Sequence, residues 1–309
     1  MIIISAGKAF NDIDAFACAL AYRELLKREG KASLVVFPGP LNHSVTRLAK
    51  EQDADYLIDY ILNADDHIVY VDLSDAKHFA FGEGSVPQVI ELYDHHYGFE
   101  AEWTECLGTN SHIERLGAAA TLIWEEFKKR GFAEKISPQS ANLLSLAILQ
   151  NTLNFTSTET NDRDRNAFAE LGAYRSMVDG WERRYFEECA VAMEEDFDDS
   201  LRNDTKIIDH LVDEKQFVFS QLEITEDPKT FLENHQSVIL KYWSEFDGAH
   251  HLVNIADMSS KTSLLYSDDG AWLTLTITPL FPSMIDHGDG WILVPIHQRK
   301  QVLKLIQNR

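Results

Sequence analysis

Val89-Ile-Glu-Leu-Tyr-Asp-His-His96 carries a short apolar run into a carboxylate and two imidazoles. Val86–Tyr93, an apolar run of this kind with a β-branched start and an aromatic end, reads as a buried strand. Its polar end falls where ligands gather in open α/β sheets, just beyond the carboxyl ends of the strands. Working outward, Ile2–Ser5, Ala32–Phe37 and His67–Leu73 read as further strands. Ala15–Arg28 has apolar residues at helical spacing and stops before Gly30. Ala118–Arg130, Pro138–Leu149, Asp164–Tyr174 and Gly180–Glu195 also read as helices. Strands separated by helices predict βαβ units and a parallel sheet.

The second half carries a different pattern. Gln216–Gln221, His251–Ile255, Trp272–Thr278 and Trp291–Ile296 read as strands, and Thr230–Trp243 and Gln298–Gln307 as helices. The acidic run Met193–Asp199 marks the boundary, so a first domain over 1–190, a linker over 191–201 and a second domain over 202–309 are expected. The fold class is α/β: an N-terminal parallel-sheet domain with flanking helices, then a smaller C-terminal α/β domain, with the active site in the cleft between them.

With 309 residues the chain is long for one core, which supports two domains. Its 28 basic residues against 50 acidic ones give a formal net charge of −22. That excess argues against nucleic acid and against anionic membrane surfaces as partners, since both are held mainly by Lys and Arg. Cys18, Cys106 and Cys189 are far apart and suggest no disulfide framework and no cysteine zinc site. The short apolar start is no signal peptide, and no stretch approaches the roughly 20 apolar residues that span a bilayer. A cytoplasmic protein is expected.

Polar groups gather at four places. Gly7-Lys-Ala-Phe-Asn-Asp12-Ile-Asp14 follows the first strand and offers two carboxylates two residues apart, either of which could equally cap the next helix. Asp72 closes Ile68-Val-Tyr-Val-Asp-Leu73, where a carboxylate is costly unless paired or coordinated. Asp94-His95-His96 combines imidazoles with a carboxylate, a donor set suited to manganese, cobalt, iron or zinc. Ala147-Ile-Leu-Gln-Asn151-Thr152 ends a helix on an amide.

In this order the four places resemble the motifs of the DHH phosphoesterase superfamily: His-x-x-x-Asp-x-Asp, a strand-end Asp, Asp-His-His, and Asp-Thr after an apolar helix. Asp204-Thr-Lys206, Val218-Phe-Ser-Gln-Leu-Glu223, Leu252-Val-Asn-Ile-Ala-Asp257 and His297-Gln-Arg-Lys-Gln-Val302 are similar to the second domain of family II inorganic pyrophosphatases and related exopolyphosphatases. The resemblance implies a metal-dependent hydrolase of pyrophosphate- or polyphosphate-like bonds. It implies metal ligands at Asp12, Asp14, Asp72, His95 and Asn151, with Asp72 bridging. It places His96 toward the substrate, with Asp94 and Lys8 beside it in the catalytic group, and Lys206, Arg299 and Lys300 on phosphate. The expected cofactor is one or two divalent ions, manganese first, with cobalt or magnesium as alternatives. The expected partner is a small phosphorylated substrate, with no nucleic acid and no membrane; a homodimer is compatible with the sequence.

Two positions depart from the pattern. Lys8 stands where the family has its first-motif His, and a protonated amine has no lone pair for a metal. Asn151 stands where the family has an Asp, and it offers only a neutral carbonyl oxygen. Together the two changes add two positive charges, the charge of one divalent ion. A one-ion site, with the ion on Asp14, Asp72 and His95, the Asn151 oxygen assisting and the Lys8 ammonium in place of the second metal, is therefore one reading. A protein that binds a phosphorylated ligand without turnover is another. An oligonucleotide or cyclic-dinucleotide phosphodiesterase is the third, although no Gly-Gly-Gly-His segment of that branch is present.

Overall fold

Ile2–Ser5 (β1), Ser33–Val35 (β2), His67–Val71 (β3), Val89–Asp94 (β4) and Ser111–Ile113 (β5) pair in the order β2-β1-β3-β4-β5, every pair parallel. The computed structural model describes residues 1–52, 55–209, 211 and 213–307. Ile3, Ile4, Ile68, Val69, Tyr70, Val71, Leu92 and Tyr93 are all buried, which explains runs that are apolar without alternation: a parallel sheet is covered on both faces. Helices Ile13–Arg28 (α1), Arg47–Lys50 (α2), Glu100–Leu107 (α3), Ala119–Lys129 (α4), Pro138–Asn151 (α5) and Asp162–Leu171 (α6) complete the unit. α1 packs against α4 and α5, helped by the buried small residues Ala17, Ala19 and Ala21.

Strand order makes the site. From β1 the chain goes to β2 on one side, then returns to β3 on the other. The loops leaving β1 and β3 therefore diverge, and a crevice opens at the carboxyl ends of these strands. Asp12 follows β1, Asp72 follows β3, and Asp94 ends β4.

The chain divides into two units, Met1–Phe155 with Glu159–Tyr185, and Thr156–Thr158 with Phe186–Arg309. Trp181–Glu195 (α7) carries the chain from one to the other. Phe197–Asn203 (α8) follows at once, so the stretch 191–201 is mostly helical where a linker was expected. Met193, Phe197 and Leu201 explain this, because all three are buried in the core of the second unit. That unit continues with Thr205–Asp209 (β6), Gln216–Ile224 (β7), Pro228–Trp243 (α9), His250–Asp257 (β8), Thr262–Tyr266 (β9), Gly270–Trp272 (α10), Asp286–Gly288 (β10), Trp291–Pro295 (β11) and Arg299–Gln307 (α11). Its sheet runs β10-β11-β9-β8-β7-β6 and is mixed, with β7 and β8 parallel around α9.

Trp272–Thr278 is not the strand that its alternation predicts. Leu273–Ile277 forms a wide helical turn after Asp269 caps the Trp272 amide. Trp272, Leu273 and Ile277 are buried while Leu275 is 70% exposed, so the apolar side follows a helix and not a period of two.

Gly117 is tightly packed between α5 and α6. A Cβ there would lie 2.6 Å from Thr152 Cγ2 and 3.0 Å from Asp164 Oδ2. Gly117→Ala is expected to lower stability by about 1–3 kcal/mol in urea unfolding. An unchanged midpoint would show that these neighbours give way.

Candidate metal centre

Asp72 adopts a left-handed backbone conformation, with φ at 56°, immediately after β3. Asp tolerates this region better than most residues. The turn keeps its amide paired, since Asp72 N–H donates to the Tyr93 carbonyl at 2.7 Å. Its side chain is only 7% exposed, and Oδ1 has no hydrogen-bond partner. That oxygen lies 3.4 Å from His95 Nε2 and 3.8 Å from His96 Nδ1. Ligand atoms of these three residues all fall within 4.8 Å of one another.

His95 is held so that one nitrogen faces Asp72. Its Nδ1 lies 3.0 Å from the Leu116 carbonyl, which can only accept, so Nδ1 carries a proton and Nε2 is the nitrogen turned toward Asp72. With the ring neutral, Asp72 Oδ1 and His95 Nε2, 3.4 Å apart, are two acceptors that one cation can bridge. Two ligands each about 2.1 Å from one ion stand roughly 3.0–3.5 Å apart at ordinary coordination angles. Asp72 and His95 fit that spacing.

Asp94 does different work. Its Oδ1 accepts from the His95 amide at 2.7 Å, the His96 amide at 3.1 Å and His96 Nδ1 at 2.8 Å. This carboxylate therefore fixes the turn that carries both imidazoles. Burial alone would raise the Asp94 carboxyl, but the His96 and His95 imidazoles and the hydrogen bond from His96 outweigh it and hold it below its ordinary value. His96 keeps its ring 53% exposed, and with Nδ1 on Asp94 its other nitrogen is left for proton exchange.

The remaining expected ligands are placed unevenly. Asp12 caps α1, its Oδ1 accepting from Asp14 N at 2.9 Å and Ala15 N at 3.0 Å. The Asp72 carboxyl is pushed well above its ordinary value by burial and then by the charges of Asp12, Asp14 and Asp94. Asp14 is fully buried, and both its oxygens accept from the start of α4: Oδ2 from Ala119 N at 2.8 Å, Oδ1 from Ala120 N at 2.9 Å. Burial and the neighbouring Asp12 charge push its carboxyl up to about 7, against the pull of those two amides. Asn151 is the half-buried last residue of α5. Lys8 is exposed, its amide donating to the His78 carbonyl at 2.9 Å, and among the described residues its side chain has no ion pair. Sequence reasoning missed the Leu116 carbonyl and Asp164, which grips the same segment; the run Gly117-Ala-Ala-Ala120 gives no polar signal of either.

The second unit gathers three cations of its own. Lys206 lies on β6, and Arg299 and Lys300 open α11. Close packing and the charges of Arg299 and Lys300 push the Lys206 ammonium down to about 8. Lys206 as a residue is exposed, so the two neighbouring cations are the cause that matters for a ligand. Arg299 is anchored by its amide on Gln221 Oε1 and by its guanidinium on the Asp204 carbonyl. Three clustered cations suit a phosphate anion.

No family model matches the chain. A protein of Exiguobacterium sp. named as a probable manganese-dependent inorganic pyrophosphatase is 29% identical over 172 residues, 55% of this chain and 54% of that protein. A Deinococcus radiodurans protein of the same name is 28% identical over 177 residues, 56% of this chain and 54% of that protein, and an A-adding tRNA nucleotidyltransferase of Aquifex aeolicus is 40% identical over 82 residues, 26% of this chain and 9% of that protein. The chain spans about half the length of the pyrophosphatase relatives it matches. Among solved structures, a Methanococcus jannaschii chain assigned to the family II inorganic pyrophosphatases superposes with a TM-score of 0.72 at 16% identity, covering 100% of both chains. An exopolyphosphatase-related protein from Bacteroides fragilis gives 0.53 at 14% identity, covering 99% of this chain and 90% of its own. These two likenesses show the two-domain α/β fold. Among the described residues no helix is long and apolar enough to cross a membrane.

Removing the Asp94 charge tests whether the turn it organises prepares the ligands. Asp94→Asn keeps the shape but weakens three hydrogen bonds, and manganese affinity by calorimetry is expected to fall about 10–100-fold. Unchanged affinity would separate Asp94 from the site.

Proposed function

We propose that this chain hydrolyses phosphoanhydride bonds, or small phosphate esters, with a divalent ion held by Asp72 and His95. Manganese is the ion proposed, in line with the names of the pyrophosphatase relatives. The observation that carries the reading is the orphaned, buried Asp72 Oδ1 facing Nε2 of His95 at 3.4 Å. When bound, such an ion polarises a phosphoryl oxygen and lowers the pKa of a coordinated water. The protein's own groups do the rest. Asp94 holds the His96 ring in place, and His96 exchanges a proton with the substrate or its leaving group. Lys206, Arg299 and Lys300 neutralise phosphate. Asn151 offers a neutral oxygen, and Lys8 offers an ammonium, where the resembled enzymes carry an acid and a histidine. We place the enzyme in the cytoplasm, acting on small molecules and not on nucleic acid, as the acidic balance suggests.

Lys8 and Asn151 favour a second reading, binding of a phosphorylated ligand without turnover. Phosphate release from pyrophosphate, a short polyphosphate and a dinucleotide, with manganese, cobalt and magnesium in turn, distinguishes the two. Release from pyrophosphate or polyphosphate is expected. Asp72→Asn should cut kcat/KM at least about a hundredfold, and Lys206→Ala should raise KM roughly tenfold. Silence on every substrate, with phosphate still bound, would replace the hydrolase by the binder.

A further inference from the structure

We propose that Asp14 is a positioning residue and not a metal ligand: it caps α4 from a distance, fixes the segment that orients His95, and leaves a site for one ion on Asp72 and His95. This rests on the divalent-ion reading above, and it goes against the two-ion pattern of the resembled enzymes.

The start of α4 lacks a cap of its own. Its N-cap residue is Ala118, which has the extended backbone of a cap, φ −146° and ψ 143°, but no side chain to accept a hydrogen bond. The first amides of any helix have no partner within the helix. Asp14, 105 residues earlier in the chain, supplies the acceptor: one oxygen takes Ala119 N–H at 2.8 Å and the other takes Ala120 N–H at 2.9 Å. The Cys18 thiol donates to Oδ1 as well, at 3.3 Å. A carboxylate has about four lone-pair sites, and three are taken here by groups that cannot follow it elsewhere. Asp14 can offer an ion no more than the one site left on Oδ2 without taking an acceptor from a buried amide or the Cys18 thiol. A negative charge at this helix end is also favoured by the peptide dipoles.

The same segment is gripped from its other side. Asp164, also fully buried, accepts from Gly117 N at 2.9 Å, Thr121 Oγ1 at 2.7 Å and Asn161 N at 3.0 Å. Next to these clamps stands Leu116, whose carbonyl takes His95 Nδ1 at 3.0 Å. The two acids thus hold the strip that selects which nitrogen of His95 faces Asp72. The convergent ligand group among the described residues is Asp72, His95 and His96, and His96 Nδ1 is engaged by Asp94.

The experiment uses the full chain as wild type, Asp14→Asn, Asp14→Asn with Ala118→Ser, and Asp72→Asn, each stripped with chelator, melted, then titrated with manganese. Metal-free Asp14→Asn should melt about 5 °C below wild type, and the hydroxyl introduced by Ala118→Ser should recover part of that loss by capping α4 locally. Asp14→Asn should still take one ion per chain, about tenfold more weakly. Metal-free Asp72→Asn should melt at or above wild type, since it removes a crowded buried charge, and should take none. Two ions on the wild type would overturn the proposal. So would an Asp14→Asn variant that melts like the wild type yet loses its ion, or a loss of stability that Ala118→Ser does not touch. If Asp14→Asn alone does not fold, the doubly substituted chain and the wild-type ion count still decide. Hydrolysis is not read at any point, so a failure here is distinct from a failure of the hydrolase reading.

Discussion

Two buried carboxylates gripping one short strip of backbone are the constraint on which the candidate site depends. Asp14 and Asp164 hold Gly117, Ala119, Ala120 and Thr121 through amide and hydroxyl hydrogen bonds. The strip in turn presents the Leu116 carbonyl to His95. An imidazole on a flexible loop could face Asp72 with either nitrogen, protonated or not. Here the choice is made by the scaffold, because burial leaves each of these acceptors with particular donors and no water to substitute. The small residues of Gly117-Ala-Ala-Ala120 let both acids approach the backbone so closely.

Charge makes that scaffold suited to a cation. The chain as a whole carries −22, most of which suits a solubilising surface. Around Asp72 the excess is local and desolvated: Asp12, Asp14 and Asp94 each raise its carboxyl further above the ordinary range. Asp94 escapes this by leaning on His96, and Asp14 is eased by two amides. Asp72 has no such relief for Oδ1. A divalent ion there would satisfy the oxygen, the His95 lone pair and the surplus charge together. The second unit is acidic as well, yet it gathers Lys206, Arg299 and Lys300 into a local cationic cluster.

Much of this is legible in the sequence, and the exceptions have physical causes. The four apolar runs from Ile2 to Tyr93 that read as strands form one parallel sheet because its strands are buried on both faces. Asp94-His95-His96 stands out because imidazoles and a carboxylate at the end of a buried strand need a reason. The hold of Asp14 on the start of α4 is not legible, because the amides that engage it lie more than a hundred residues away. Trp272–Thr278 misleads for a local reason: alternating Leu and Thr mimic a strand, while burial of Trp272, Leu273 and Ile277 selects a helical path. The acidic run Met193–Asp199 reads as a helix end at a domain boundary, and Met193 and Phe197 are buried in the core of the second unit.

The most direct test of this account is an anomalous-difference map from crystals of the full chain grown with manganese. It predicts one strong peak between Asp72 Oδ1 and His95 Nε2, with Asp14 still on the Ala119 and Ala120 amides and His95 Nδ1 still on the Leu116 carbonyl. Two peaks a few ångströms apart, with Asp14 turned off those amides to ligate one of them, would contradict it.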